Sequence, residues 1–140
     1  MERYLGKFEP YAYAILRIFA GFLFIWHGTQ KLFGYPPPPA NQPAQPLNAL
    51  MAAGGTIELV CGLLILFGLF AGFAAFLASG MMAVAYFMAH TSGGFLPLVN
   101  RGELAVLYCF VFLYIASRGS GILSLDSLLF RGKSASRSEE

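Results

Sequence analysis

The stretch LNALMAAGGTIELVCGLLILFGLFAGFAAFLASGMMAVAYFMA, residues 47–89, decides the fold, because Glu58 is the only acidic or basic side chain among its 43 residues. As one straight α-helix it would measure roughly 65 Å, about twice the thickness of the hydrocarbon core of a membrane. The chain therefore has to turn back within this stretch. Gly68 and Gly72 lie near its middle and mark the predicted turn between two membrane-spanning helices.

The whole chain is as poor in charge as this stretch. Of its 140 residues, 57% are apolar and 11% are Asp, Glu, Lys or Arg, whereas about 25% are charged in an ordinary soluble domain. This composition excludes most small soluble domains, disordered chains and collagen-like chains. The net charge is only +2, and the basic residues are scattered along the chain. They form no cluster that would bind the phosphates of a nucleic acid. We therefore expect a protein that sits in membrane lipid and binds no nucleic acid.

Four apolar stretches are predicted to be transmembrane helices, at residues 11–33, 52–70, 73–91 and 102–118. Together they predict an all-α integral membrane protein whose single domain, residues 1–130, is a four-transmembrane-helix bundle. Residues 122–130 are predicted to lie along the membrane surface as a short interfacial segment. The last ten residues, 131–140, are expected to form a disordered tail.

The distribution of Lys and Arg around these helices predicts the orientation of the chain. Positive charge favours the cytoplasmic side of a membrane. Lys31 and Arg101 lie on one side, whereas six basic residues lie on the side shared by the termini: Arg3, Lys7, Arg118, Arg131, Lys133 and Arg137. Both termini are therefore expected in the cytoplasm, with a chain that crosses the membrane several times.

The loop after the first predicted helix is rich in proline. Segment 36–46 holds the run Pro36 to Pro39, and Pro43 and Pro46 follow it. Such a segment cannot be helical and favours an extended polyproline conformation. We expect a stiff connector outside the membrane, and a partner-binding segment is the alternative.

Charged and histidine side chains inside the predicted spans are costly in hydrocarbon and are candidates for function. The topology places five of them in the outer third of the bundle, where we expect them to converge as ligand-binding candidates: His27, Lys31, Glu58, His90 and Glu103. Glu58 is expected to pair with Lys31 or Arg101. Arg17 stands apart, roughly 21 Å along the helix axis from Lys31. Arg17 and Arg101 are expected to form structural ion pairs.

Glycines share the charged faces of the first two predicted helices. On the first helix two glycines lie near Arg17 and Lys31, and on the second helix two flank Glu58. Small residues let membrane helices approach closely, so both helices are expected to turn these faces inward. The same glycines would serve an interface between subunits equally well, which leaves a homo-oligomer open. These glycines are Gly21, Gly28, Gly55 and Gly62.

Several short motifs occur in a fixed order along the chain: Arg17-x3-Gly21, His27-Gly28-x2-Lys31, Gly54-Gly55-x2-Glu58-Leu59-x2-Gly62, Asn100-x-Gly102-Glu103 and Gly119-x-Gly121-x2-Ser124-x-Asp126. In this order and spacing the sequence resembles the DoxX family of small four-helix bacterial inner-membrane proteins, over residues 16–126. The resemblance implies a membrane subunit associated with an oxidoreductase system that is linked to quinones, thiols or thiosulfate. It also implies an oxidoreductase partner subunit.

Three functions compete for the predicted outer cluster. In the first, His27, Lys31, Glu58 and His90 border a quinone pocket, because a quinone needs an apolar slot, donors at its two carbonyls and a route for protons. In the second, the cluster is a structural network, and the chain is a membrane scaffold or a small-ligand-binding protein. In the third, the cluster binds a metal. No metal site is expected, because no H-x3-H or E-x-x-H spacing occurs.

The sequence offers no group that carries electrons. It has no haem-attachment motif, no cysteine pattern for an iron–sulfur cluster and no G-x-G-x-x-G. Cys61 and Cys109 are single residues within predicted spans and are interpreted as small apolar side chains. No covalently bound cofactor is expected, and quinone is the candidate ligand. Any oxidoreductase role then needs a partner or a diffusible carrier, and whether the chain itself is an enzyme stays open.

Overall fold

The computed structural model describes residues 1–41 and 46–135 of the chain, and within these ranges every regular element is a helix. Among these described residues, three helices are long and apolar enough to cross a membrane: Glu2–Phe33, Ala49–Phe67 and Ala71–Gly93. They confirm the all-α class and the membrane-helix character predicted from the sequence. The stretch expected to form a fourth span is a helix of 16 residues, shorter than the ~20 residues that a span usually needs.

The first long helix begins two residues before its predicted start. Helix α1 (Glu2–Leu5) and a 3₁₀ turn (Gly6–Phe8) lead into α2 (Glu9–Phe33). Pro10 stands in the first turn of α2, where its missing N–H would have no helical partner. The helix ends at Gly34, whose left-handed backbone closes the last turn.

The second long helix, α3 (Ala49–Phe67), is shifted three residues toward the N-terminus from the predicted span 52–70. Its first turn is capped by Asn48, whose side chain accepts a hydrogen bond from the Met51 N–H at 2.9 Å. Gly68, with a φ of 67°, ends the helix. Only the first of the two glycines expected in the turn is used there, because Gly72 lies inside the next helix and Phe70 takes the second left-handed position.

The third long helix changes character before it ends. Helix α4 (Ala71–Ala85) continues as a π-helical turn (Tyr86–His90) and a 3₁₀ turn (Thr91–Gly93). A short helix, α5 (Pro97–Asn100), then precedes α6 (Glu103–Arg118). Single π-helical turns within α-helices occur frequently at functional sites.

Two closely packed helix pairs form the bundle. In the first pair, α2 and α3 cross at Gly21 and Gly28, where a Cβ atom would lie 2.6 Å from the backbone nitrogens of Leu66 and Leu59, respectively. In the second pair, α4 meets α6 through buried alanines, and the Ser79 hydroxyl donates to the Cys109 carbonyl at 2.8 Å. The aromatic rings of α2 and α6 join the pairs, with 4.6 Å between the centroids of Phe24 and Phe112.

We call the two ends of the bundle the loop end and the terminal end. The loop end holds the end of α2, the start of α3, the π-helical turn and the start of α6. The terminal end holds the start of α2, the turn between α3 and α4, and the end of α6. At the terminal end, Arg118 forms an ion pair with Glu9, which ties α6 to α2.

The segment after α6 folds back onto the terminal end. Helix α7 (Leu125–Ala135) is preceded by Ser124, whose hydroxyl accepts a hydrogen bond from the Ser127 N–H at 3.1 Å. It runs five residues into the tail that we expected to be disordered from residue 131, because the helix of the interfacial segment simply continues. The remainder of that tail, 136–140, and positions 42–45 of the Pro-rich loop lie outside the described residues.

Candidate functional site

An ion pair between α2 and α3 forms the centre of the loop end. The Lys31 Nζ donates to the Glu58 Oε1 at 2.5 Å, so of the two partners expected for Glu58, Lys31 and Arg101, it is Lys31 that pairs with it. The Glu58 side chain is only 2% exposed, whereas that of Lys31 is 32% exposed. The carboxylate is therefore the buried partner, and the lysine reaches it from the edge of the bundle.

Two glycines bring these charged groups together. A Cβ atom on Gly28 would lie 2.7 Å from the Gly55 carbonyl oxygen, so the two backbones touch at this level. A Cβ atom on Gly55 would lie 3.1 Å from the Cβ of Lys31. The second turn of α3 can thus pass close to the lysine stem. The glycines on the charged faces of the first two predicted helices led us to expect this close approach.

The Glu58 carboxylate is only half satisfied. Its Oε2 atom is buried and has no hydrogen-bond partner among the described residues. Tyr108 is a buried side chain of α6. His27, one turn before Lys31 on α2, meets the Tyr108 ring edge-on, with 5.9 Å between centroids. An unsatisfied buried carboxylate oxygen can accept a proton or a hydrogen bond from a ligand.

His90 belongs to a second group at the loop end. Its Nδ1 lies 3.1 Å from the Asn100 carbonyl oxygen, and since a carbonyl only accepts, this nitrogen carries the proton. The ring stacks on that of Tyr86 at 6.2 Å. The Asn100 side chain donates to the Tyr86 hydroxyl at 3.2 Å and to the Gly94 carbonyl at 2.7 Å. Asn100 thus organises the loop between the π-helical turn and α6.

Glu103 is in neither group. It is exposed in the first turn of α6, where the positive end of the helix dipole favours a carboxylate. Within the described residues neither Glu103 nor Arg101 takes part in an ion pair, in contrast to the expectation for Arg101. Arg101 is also exposed, so water can solvate both groups. The five candidate ligand-binding residues therefore share the loop end, but a direct contact joins only Lys31 and Glu58, and His27 contacts Tyr108 instead.

Arg17 is fully buried at the terminal end, but it does not form the expected ion pair. Its Nη1 donates to the carbonyls of Ile65 and Leu66 at 2.6 and 2.9 Å, and its Nη2 to that of Leu123 at 2.7 Å. The last carbonyls of a helix lack partners within the helix and carry its negative dipole, so a guanidinium satisfies them well. Arg17 thus fastens the end of α3 and the segment before α7 to α2.

Sequence reasoning missed the residues that hold the termini and loops. The side chain of Asp126 accepts from the Phe70 N–H at 3.0 Å and from the Ser120 hydroxyl at 2.5 Å. Asp126 thus ties the residue before α4 to the segment that follows α6. Tyr108 carried no signal of its partners, because its contacts depend on how the helices pack. Among the described residues no group of His, Cys, Asp and Glu could hold a metal ion.

Replacing Asn100 by alanine is expected to loosen the loop before α6. The change removes three side-chain hydrogen bonds, to Tyr86, Gly94 and the Gly102 N–H, and should cost about 1–3 kcal/mol locally. Hydrogen–deuterium exchange should then quicken in residues 93–102 and stay unchanged in α2 and α3. The control is Thr91→Val, whose exposed hydroxyl bonds only to the preceding turn. Equal exchange in both variants would contradict the organising role of Asn100.

Comparison with known proteins agrees with the family suggested by the motifs. The sequence model of the DoxX family matches residues 12–91, which include Lys31, Glu58 and His90. An uncharacterised protein of Haemophilus influenzae is 39% identical over 130 residues, which cover 91% of this chain and 97% of the relative. A second uncharacterised protein of the same organism is 29% identical over 124 residues, covering 82% and 81%. No solved structure matches the chain. This chain belongs to the DoxX family.

Proposed function

We propose that this chain is a membrane subunit of an oxidoreductase system linked to a quinone or to thiol and thiosulfate oxidation, and that the group around Glu58 contacts the small ligand. The observation that carries the proposal is the buried Glu58 carboxylate, of which one oxygen bonds Lys31 and the other has no partner within the described residues. Membership of the DoxX family supports a membrane setting for this chemistry. Electrons would come from a partner subunit or a diffusible carrier.

The proposed topology has four spans in the bacterial inner membrane, with both termini in the cytoplasm. The 16 residues of α6 give a helix of about 24 Å, and α5 would lie at the same membrane edge and complete the crossing. The excess of Lys and Arg near the termini supports this orientation. The loop end, and with it the Lys31–Glu58 pair, would then face the outside, while α7 would lie along the inner surface.

The residues around Glu58 fit a quinone or quinol in chemical terms. The carbonyls of a quinone accept hydrogen bonds, which the Lys31 ammonium and the Tyr108 hydroxyl can donate. The hydroxyl of a quinol can donate to the unpartnered oxygen of Glu58. His27, in contact with the Tyr108 ring, adds a side chain that gains and loses protons near neutral pH. These residues would bind the ligand and move its protons.

The second candidate function is a membrane scaffold. It is favoured by the ion pair itself, because Lys31 and Glu58 bond to each other. The Lys31–Glu58 bond fixes the register of α2 against α3, and the glycine contacts on both sides fix their distance. A bundle held in this way could present a surface to a catalytic partner without binding a ligand. If the chain is a scaffold, substitution of Lys31 or Glu58 would lower its stability and would not change how it responds to added ligand.

Trp26 provides a direct test, because it is the only tryptophan and is adjacent to His27. We expect a short-chain ubiquinone analogue, added to the purified full-length protein in nanodiscs, to quench its fluorescence with saturation. In Glu58→Gln the apparent Kd should rise about tenfold, the equivalent of one lost hydrogen bond to a charged group. The control, Glu103→Gln, should bind as the wild type does. Quenching that is linear and equal in all three proteins would contradict the ligand site and favour the scaffold.

A further inference from the structure

The loop between the third long helix and α6 exposes large apolar side chains on the outside of the bundle. We call residues 94–100 the apolar loop, because residues 91–100 contain no Asp, Glu, Lys or Arg. Phe73 and Phe76 on α4, a helix apolar enough to cross a membrane, are 76% and 66% exposed. Four residues of the apolar loop are exposed to a similar degree, between 63% and 76%: Phe95, Leu96, Leu98 and Val99. A cluster of exposed apolar residues of this kind marks a surface that meets lipid or another molecule.

Contacts place the apolar loop beside the last turns of the third long helix rather than beyond its end. The Tyr86 hydroxyl donates to the Phe95 carbonyl. A Cβ atom on Gly102, just after the loop, would lie 2.7 Å from the Tyr86 ring. Tyr86 precedes the end of that helix at Gly93 by seven residues, which corresponds to about 10 Å along the axis. The loop therefore lies at a level that the helix itself still crosses.

The carbonyl groups of the apolar loop already have partners within the protein. Those of four consecutive residues, 94–97, each accept a hydrogen bond. Two accept from the side chains of Asn100 and Tyr86, and two from backbone N–H groups further along the chain. Pro97 has no N–H group that would need a partner. In hydrocarbon an unpaired backbone group is costly, so this pairing lowers the cost of moving the loop out of water.

We propose that the apolar loop is an interfacial anchor, whose exposed side chains lie among the acyl chains at the outer edge of the hydrocarbon. Lipid is the occupant that fits, because the loop carries no charge and lies beside a helix that crosses the membrane in the proposed topology. Arg101 and Glu103 follow the loop and are exposed, which limits its depth to a level from which charged side chains reach the headgroups. The inference rests on the proposed four-span topology and does not depend on the ligand site.

Fluorescence quenching by brominated phospholipids tests the anchor in the full-length protein, reconstituted in liposomes. Trp26→Phe removes the only tryptophan, and Phe95→Trp then places a single one in the apolar loop. Lipids brominated in the upper half of their acyl chains should quench it as strongly as they quench Phe76→Trp on α4. The control is Ala40→Trp, at an exposed position of the Pro-rich loop at the same end of the bundle. Its fluorescence should fall with dissolved acrylamide and not with brominated lipid.

The same set of variants separates failure of the anchor from failure of the topology. If Phe95→Trp responds as Ala40→Trp does, the loop faces water or a partner subunit, and the anchor is wrong. Leu98→Trp repeats the measurement if Phe95→Trp does not fold. If brominated lipid fails to quench Phe76→Trp as well, the proposed spans are wrong and the anchor falls with them.

Discussion

Lys31→Met is expected to lower the free energy of unfolding by about 3–5 kcal/mol, the largest effect of a single side chain that we predict. Glu58 is 2% exposed and its second oxygen already lacks a partner within the described residues. Removing the lysine would leave a buried carboxylate with neither of its oxygens bonded. Burying an unpaired charge costs far more than a surface ion pair contributes, so the loss should be large although Lys31 itself is partly exposed.

The loss can be measured by reversible unfolding of the purified protein in mixed detergent micelles. Lys7→Met is the matched control, because it makes the same substitution at an exposed lysine outside the bundle. That control should change the unfolding free energy by less than about 0.5 kcal/mol. If Lys31→Met were no more destabilising than Lys7→Met, the pair would not stabilise the α2–α3 contact.

Gly28→Ala is expected to have the second largest effect, a loss of about 1–3 kcal/mol or more from a single added methyl group. The new Cβ would lie 2.6 Å from the Leu59 nitrogen and 2.7 Å from the Gly55 carbonyl oxygen. Both atoms belong to the backbone of α3, so neither can rotate away as a flexible side chain would. The two helices would have to separate, which would also lengthen the contact between Lys31 and Glu58.

Gly54→Ala is the control for this variant. Gly54 adjoins Gly55 in α3, but a Cβ atom there would meet nothing within 4 Å. Alanine is favoured over glycine in a helix by about 0.8–1 kcal/mol, so Gly54→Ala should leave stability unchanged or raise it slightly. Proteins carrying each variant can be compared in the same unfolding experiment. A Gly28→Ala protein as stable as Gly54→Ala would contradict the close backbone contact.

The pairing of α2 with α3 could be predicted from the sequence because the residues around each charged side chain follow a recognisable pattern. Lys31 and Glu58 are costly in lipid, and glycines at helical spacing lie beside each of them. Once the chain turns at Gly68, both charges fall at one end of the bundle. Composition and helical phase thus predicted that Glu58 pairs with Lys31 or Arg101, and in the structure its partner is Lys31, 27 positions away.

The other contacts could not be predicted because they depend on groups that have no sequence pattern. Arg17 bonds backbone carbonyls, and every residue has a carbonyl. His90 and Asn100 meet through a π-helical turn and a short loop whose geometry follows from packing. The expected meeting of Glu103 with the buried group assumed that a shared membrane depth implies contact. Two groups at one depth can still lie on different sides of a bundle.

The double-mutant cycle between Lys31 and Glu58 tests the central claim most directly, namely that two charges distant in sequence form one buried pair in the folded bundle. The cycle compares the unfolding free energies of Lys31→Met, Glu58→Leu, the double variant and the wild type. We predict a coupling of at least ~2 kcal/mol, with the double variant more stable than Lys31→Met alone, since no buried charge is then left unpaired. Effects that add within about 0.5 kcal/mol would contradict the pair.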